Sequence, residues 1–156
     1  MDNPQRAAAV ERWGDLVWRL ALAGAKNQHD AEDIFQEVFE RFFRHEDRLL
    51  TEEHQKAWLI RCTINRCKSL FSSPWRKRKV SLDDIRELGI PDDTREVYLA
   101  VRQLPAKYAL VIHLHYYEGY TVAEIAGQLG CAEGTVKSQL SRARAMLREH
   151  LKEVTL

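Results

Sequence analysis

Thr135, Lys137, Ser138, Ser141, Arg142 and Arg144 set short hydroxyls among long cations within one stretch of ten residues. Such groups donate hydrogen bonds to phosphate oxygens and base edges, so the chemistry they suit is the non-covalent reading of DNA. They can act together only if a helix carries them. Val136, Leu140, Ala143, Leu147 and Leu151 follow the spacing i, i+4, i+7, i+11 and i+15, one apolar stripe of helical period. At about 100° per residue, Ser138, Ser141, Arg142 and Ala145 fall opposite that stripe, with Lys137, Arg144 and Arg148 along one edge. Acids are almost absent before Glu149. An ordinary amphipathic helix with a solvated basic face gives the same wheel. The segment before it favours DNA. Thr121 is placed to cap a short helix to about Leu129, Gly130 to hold a left-handed turn, and the second helix to start near Glu133. Two helices joined by a short glycine-containing turn make the helix-turn-helix pattern.

The elements that must position this face belong to a chain of 156 residues, enough for one medium domain or two small ones. With 45% hydrophobic and 30% charged residues it reads as soluble and well folded. The net charge of +1 hides an uneven distribution. Residues 61–79 carry seven Lys or Arg and no acid, whereas residues 81–96 carry six acids against two bases. Such segregation suits nucleic-acid contact. Three cysteines, an odd number, argue against a disulfide framework and for a reducing cytosol. The absence of an apolar run of membrane-spanning length, and of a signal-peptide core at the N-terminus, predicts a cytoplasmic protein without membrane insertion.

Glycine and proline are scarce and strand alternation is missing, so the fold class is all-α, without internal repeat. Helices are expected from about Pro4 to Ala23, from Gln28–Asp30 to about His45, and from Glu53 to Phe71, the last ended or kinked by Pro74. An acidic stretch with Gly89 and Pro91 reads as a linker. Val97, Val101 and Leu104 mark a short helix stopped at Pro105. Leu110, Leu114 and Tyr117 mark the next, ending at Gly119. The division is therefore 1–79, a linker 80–93, and 94–156, two helical modules each with a small core.

The N-terminal module has two notable faces. Its second helix puts Ile34, Phe35, Val38, Phe39 and Phe42 on one side and Asp33, Gln36, Glu37 and Glu40 on the other. The acidic side is either a solvated face or a dock for a basic partner helix. The third helix buries Ile60, Ile64, Cys67 and Phe71, with Leu59, Thr63 and Leu70, leaving Trp58, Arg61, Asn65 and Lys68 opposite. A tryptophan beside arginine, asparagine and lysine can stack on unpaired bases while its neighbours hold phosphates. It can equally pack against the loop 46–55 or the first helix.

Three separated segments carry a family resemblance: DAEDIFQEVFERFF (30–43), AWLIRCTINRCK (57–68) and LPAKYALVIHLHYYEGYTVAEIAGQLGCAEGTVKSQLSRARAMLR (104–148). In that order they resemble a bacterial RNA polymerase sigma factor of the sigma-70 family, extracytoplasmic-function type. The resemblance implies two helical domains, sigma-2-like and sigma-4-like, joined by a flexible linker. It implies that Asp33, Gln36, Glu37 and Glu40 dock on the coiled coil of the polymerase's largest subunit. Trp58, Arg61, Asn65 and Lys68 correspond to the region that opens and reads the promoter's −10 element. The loop Glu46–Gln55 corresponds to one that receives a flipped-out base. Thr135, Lys137, Ser138, Ser141, Arg142 and Arg144 correspond to the −35 reader. The helices at 94–117 would hold the flap of the second-largest subunit, and the acidic linker would lie along the RNA exit path. The partners implied are core polymerase, promoter DNA and an anti-sigma protein.

Other signals fail. Cys62 and Cys67 cannot share a metal face, Cys131 sits in the turn, and His113 and His115 point to opposing sides, so no metal site or cofactor is expected. Cys62, read as exposed, leaves a redox role open but unsupported. No phosphate loop, nucleophile pattern or carboxylate pair suggests an enzyme. The rival readings are a stand-alone dimeric regulator with this DNA-binding end, an interaction protein that occupies polymerase without starting transcription, and, more remotely, a nuclease.

Overall fold

The computed structural model describes residues 4–25, 27–70 and 92–155. Among these there are seven α-helices and no strand. Helix α1 (Pro4–Gly24) opens on proline, whose fixed φ and missing N–H suit a first turn. Helix α2 (Gln28–His45) is capped by Asn27, whose Oδ1 accepts from the Asp30 amide at 2.8 Å. Helix α3 (Glu52–Leu70) is capped by Thr51, whose hydroxyl accepts from the His54 amide at 3.1 Å. These three pack on one another through Leu16, Val17 and Leu20 of α1, Ile34, Val38, Phe39 and Phe42 of α2, and Leu59, Ile60 and Ile64 of α3. Among the described side chains, which stop short of Leu70 and Phe71, the expected apolar sides are the buried sides, except that Phe35 is only half-buried. Phe71, the basic run after Pro74 and the linker before Asp92 lie outside the described residues.

The C-terminal part holds α4 (Asp92–Arg102), α5 (Ala106–Ile112), α6 (Val122–Leu129) and α7 (Glu133–Thr155). After Ile112, helix α5 widens into a π-helical turn over His113–Tyr117, closed by the Glu118 amide donating to the His113 carbonyl at 3.0 Å. Leu110 and Leu114 are buried as their spacing predicts, but Tyr117 is 41% exposed.

Two small cores were the expectation, and the finding is different. One apolar cluster runs from Leu16 and Leu20 through Leu59 and Cys67 to Leu110, Ile112, Val136 and Leu140. Helix α5 explains it. Ala106, Tyr108, Ala109, Leu110, Val111 and Ile112 are buried and only Lys107 is half-buried, so this short helix is covered on nearly every side, by α1 and α3 of the first module and by α4 and α7 of its own. A helix that is apolar all round must be enclosed. Gly24 allows the approach: a Cβ there would stand 2.9 Å from Cys67 Cβ and 3.4 Å from Leu110 Cδ2.

Candidate nucleic-acid interface and docking faces

The helix-turn-helix is fixed by its caps. Thr121 Oγ1 accepts from the Glu124 amide at 3.1 Å, and the Thr121 amide donates back to Glu124 Oε1 at 3.0 Å. Glu124 is held below the usual carboxylate range by these bonds. Gly130 takes the left-handed conformation, φ +67°, and turns the chain into α7. Val136, Leu140 and Ala143 then sit at 0–1% exposure. Their burial leaves Thr135, Lys137, Ser138, Ser141, Arg142 and Arg144 all exposed on α7.

Arg144 differs from the other five. Its Nε donates to the Tyr116 hydroxyl at 2.7 Å, with the guanidinium 5.7 Å from the ring centre. Tyr116 leans edge-on against His115, whose Nδ1 lies 2.8 Å from the Tyr120 carbonyl. This chain of contacts orients one cation of the reading face. Sequence reasoning missed Tyr116, because its relation to Arg144 spans 28 residues; the paired tyrosines before Gly119 were the only local signal.

On α3, Arg61, Asn65 and Lys68 are exposed together, and Trp58 is half-buried. The indole packs 5.9 Å from Phe42 and 5.8 Å from His45 at the end of α2, centroid to centroid. Both of these ring partners belong to α2. Arg61 Nη2 donates to the Gly127 carbonyl of α6 at 3.2 Å, and Lys56 Nζ lies 5.3 Å from the Tyr120 ring centre. On α2, Asp33, Gln36 and Glu40 are exposed, whereas Glu37 is half-buried and paired with Arg66 of α3.

The loop between α2 and α3 is tied down. Trp13 Nε1 donates to Gln55 Oε1 at 3.0 Å, and Gln55 Nε2 donates to the Leu49 carbonyl at 3.0 Å. Leu49 is buried and Leu50 stands 83% exposed.

A charged cluster joins the two halves. Arg19 of α1 donates twice to Glu118, Nε to Oε2 at 2.9 Å and Nη2 to Oε1 at 3.1 Å. His113 Nε2 lies 2.8 Å from the same Oε2, and His113 is 1% exposed. Burial pushes the Glu118 carboxyl up, but the bonds from His113 and Arg19 outweigh it and hold it at about 2. Arg102 of α4, 1% exposed, donates to the Leu22 carbonyl of α1 at 2.9 Å.

Cys62 corrects an expectation: it is 9% exposed, and burial pushes its thiol pKa up, the opposite of what an activated thiol needs. No group of three or more His, Cys, Asp or Glu among the described residues is placed to hold a metal ion.

A helix-turn-helix with an exposed row of hydroxyls and cations, beside a three-helix module with an exposed Arg–Asn–Lys face, has the surface chemistry of a nucleic-acid-binding protein. The model for sigma-70 region 2 matches residues 9–77 and that for region 4 matches residues 94–147. SigL of Mycobacterium tuberculosis, an ECF RNA polymerase sigma factor, is 33% identical over 157 residues, covering 94% of this chain and 89% of SigL. SigE of Mycolicibacterium smegmatis, another ECF sigma factor, is 33% identical over 91% of this chain, which spans 60% of SigE. Among solved structures, the sigma factor RpoE in complex with the anti-sigma factor NepR from Bartonella quintana superposes with a TM-score of 0.72. That match covers 94% of this chain and 96% of RpoE at 24% identity, so what the two share is the fold. The chain belongs to the sigma-70 family of RNA polymerase sigma factors, among its extracytoplasmic-function members.

Proposed function

We propose that this chain binds bacterial core RNA polymerase and directs it to promoters carrying a −10 and a −35 element. The division of labour is residues 1–79 for polymerase docking and the −10 element, 80–93 as linker, and 94–156 for the −35 element. Asp33, Gln36, Glu37 and Glu40 dock on the largest subunit, and the helices at 94–117 hold the flap of the second-largest. Trp58, Arg61, Asn65 and Lys68 bind the −10 strand once it is unpaired. Thr135, Lys137, Ser138, Ser141, Arg142 and Arg144 read the −35 element in the major groove. The chain performs no covalent step. It shifts the melting equilibrium by holding the unpaired strand, which must offset a few kcal/mol per extruded base. It works in the cytoplasm, where an anti-sigma protein is its natural inhibitor.

The single observation that carries this reading is the exposed row of hydroxyls and cations on α7, set opposite the fully buried Val136, Leu140 and Ala143. In vitro transcription with purified core polymerase on a genomic promoter library tests it. New start sites preceded by a shared pair of elements at fixed spacing are the expected result. Duplex binding by the chain alone, with no binding to core, would point instead to a stand-alone regulator.

A further inference from the structure

Tyr116 has no role in the reading of DNA given above, yet it stands beside one of the residues that do. It is 54% exposed, and its hydroxyl oxygen accepts the Arg144 Nε–H at 2.7 Å. A hydroxyl that accepts keeps its own O–H to donate. Among the described residues, neither side chain makes a further hydrogen bond or ion pair, so that O–H and the two terminal NH2 groups of Arg144 are unused. Position decides whether they suit a base edge or a phosphate. Ser138, Ser141 and Arg142 lie opposite the buried stripe of α7, where a recognition helix faces the groove floor. Arg144 lies along one edge of the helix, toward the groove wall that the backbone forms. It also stands roughly 16 Å along the axis from Glu133, at 1.5 Å per residue, whereas base contacts come from the N-terminal part of such a helix. Tyr116 precedes α6, the helix that crosses the DNA backbone in this motif.

The tyrosine is held in place. It belongs to the π-helical turn His113–Tyr117, in which His113 turns inward to 1% exposure. His115 is fixed by its bond to the Tyr120 carbonyl, and its ring meets that of Tyr116 edge-on, 4.8 Å between centroids. A ring braced by His115 and by the guanidinium has little freedom left to lose on binding. We infer that Tyr116 and Arg144 form one composite phosphate site. The Tyr116 O–H and the terminal groups of Arg144 together hold a backbone phosphate at the border of the upstream element, and Tyr116 sets the direction of the guanidinium. The ligand is a phosphodiester of duplex DNA, so the site supplies affinity and register and leaves the choice of sequence to Ser138, Ser141 and Arg142. The inference rests on the assignment of α7 to the −35 element and narrows the part that Arg144 plays in it.

The test uses the full-length chain, with core polymerase and without it, and two duplexes: one selected by the complex from a random-sequence library, and one unselected. Binding is measured against salt for the natural chain, Tyr116→Phe and Arg144→Ala. It is measured again on selected duplexes in which single backbone phosphates are replaced by neutral methylphosphonates. Tyr116→Phe keeps the ring and removes only a hydroxyl at an exposed position, so the fold is not at stake. Tyr116→Phe should weaken binding roughly three- to tenfold on both duplexes alike. Arg144→Ala should weaken it further, again on both, with a salt slope shallower by about one. One methylphosphonate that weakens binding by the natural chain should have no further effect on either variant, a coupling that a purely structural role for Tyr116 would not produce. A loss by Arg144→Ala confined to the selected duplex would make Arg144 a base reader and overturn the site. Full affinity of Tyr116→Phe, or the same methylphosphonate profile in all three proteins, would overturn it as well. A selection that returns no shared sequence would instead overturn the −35 reading, and the losses and salt slopes on the unselected duplex would still decide the phosphate site.

Discussion

Arg142 stands on the exposed side of α7, and among the described residues no hydrogen bond orients it as Tyr116 orients Arg144. If it reads a base edge, Arg142→Ala should weaken binding to the preferred upstream element by about 1–3 kcal/mol and relax specificity at one position. An equal loss on every sequence, with a shallower salt dependence, would make it a phosphate contact. Trp58 is a second case where residue chemistry and packing compete. Half-buried against Phe42 and His45, it contributes to the join between α2 and α3, the same residue proposed above to bind the unpaired strand. Trp58→Ala should cost about 1–2 kcal/mol of stability, less than the loss at a fully buried tryptophan. It should also slow promoter opening by polymerase without weakening assembly on core. Opening at the normal rate would leave Trp58 with a purely structural role.

At the scale of elements, the reading helix is aimed by what precedes it. Helix α6 has only eight residues, too few to be stable alone, so its capping box and its buried Ile125 and Ala126 carry it. Thr121→Ala removes the hydroxyl that accepts the Glu124 amide and leaves only the backbone half of the box, in which the amide of residue 121 donates to the Glu124 carboxylate. The expected loss is about 1 kcal/mol in thermal unfolding, with weakened −35 binding because α6 supports the start of α7. A variant with unaltered melting would show that packing alone sets α6. Helix α5 works differently. It presents apolar groups on all sides and ends in a π-helical turn that brings His113 and Glu118 together. The stripe of Leu110 and Leu114 was visible in sequence. The burial of the rest of α5 was not, because a short run that is apolar on nearly every side has no preferred direction until neighbours enclose it.

For the whole molecule, the closed arrangement, in which the two modules pack against each other, carries a pH signature. Glu118 ordinarily titrates near 4.5, and the closed chain holds it at about 2. A depressed carboxylate pKa stabilises the state that depresses it at pH values above about 4.5, and that contribution disappears as pH falls from there through about 2. Only the share contributed by Arg19 is lost when the modules part, because His113 lies on the same module as Glu118. Closure should therefore be insensitive to this group from pH 5 upward, in the ordinary range where carboxylates are ionised. Cross-module fluorescence energy transfer should fall on acidification below about pH 4.5 in the natural chain. Glu118→Gln should lack that component, and identical acid profiles in the two proteins would locate the sensitivity elsewhere.

Sequence by itself determined the local structure and the chemistry of the faces. Helix boundaries followed from Pro4, Thr121 and Gly130, residues whose effects are confined to a turn or two. The row from Thr135 to Arg144 followed from helical periodicity, which needs no knowledge of a partner. Tertiary structure alone decided which faces meet. Cys62 reads as exposed on its own helix but is covered, and Trp58 finds its partner on α2. Arg19 and Glu118 are 99 residues apart, and no local pattern relates them. Their pairing depends on α5 filling the space beside α1, a matter of volume and enclosure that arises only when the helices pack.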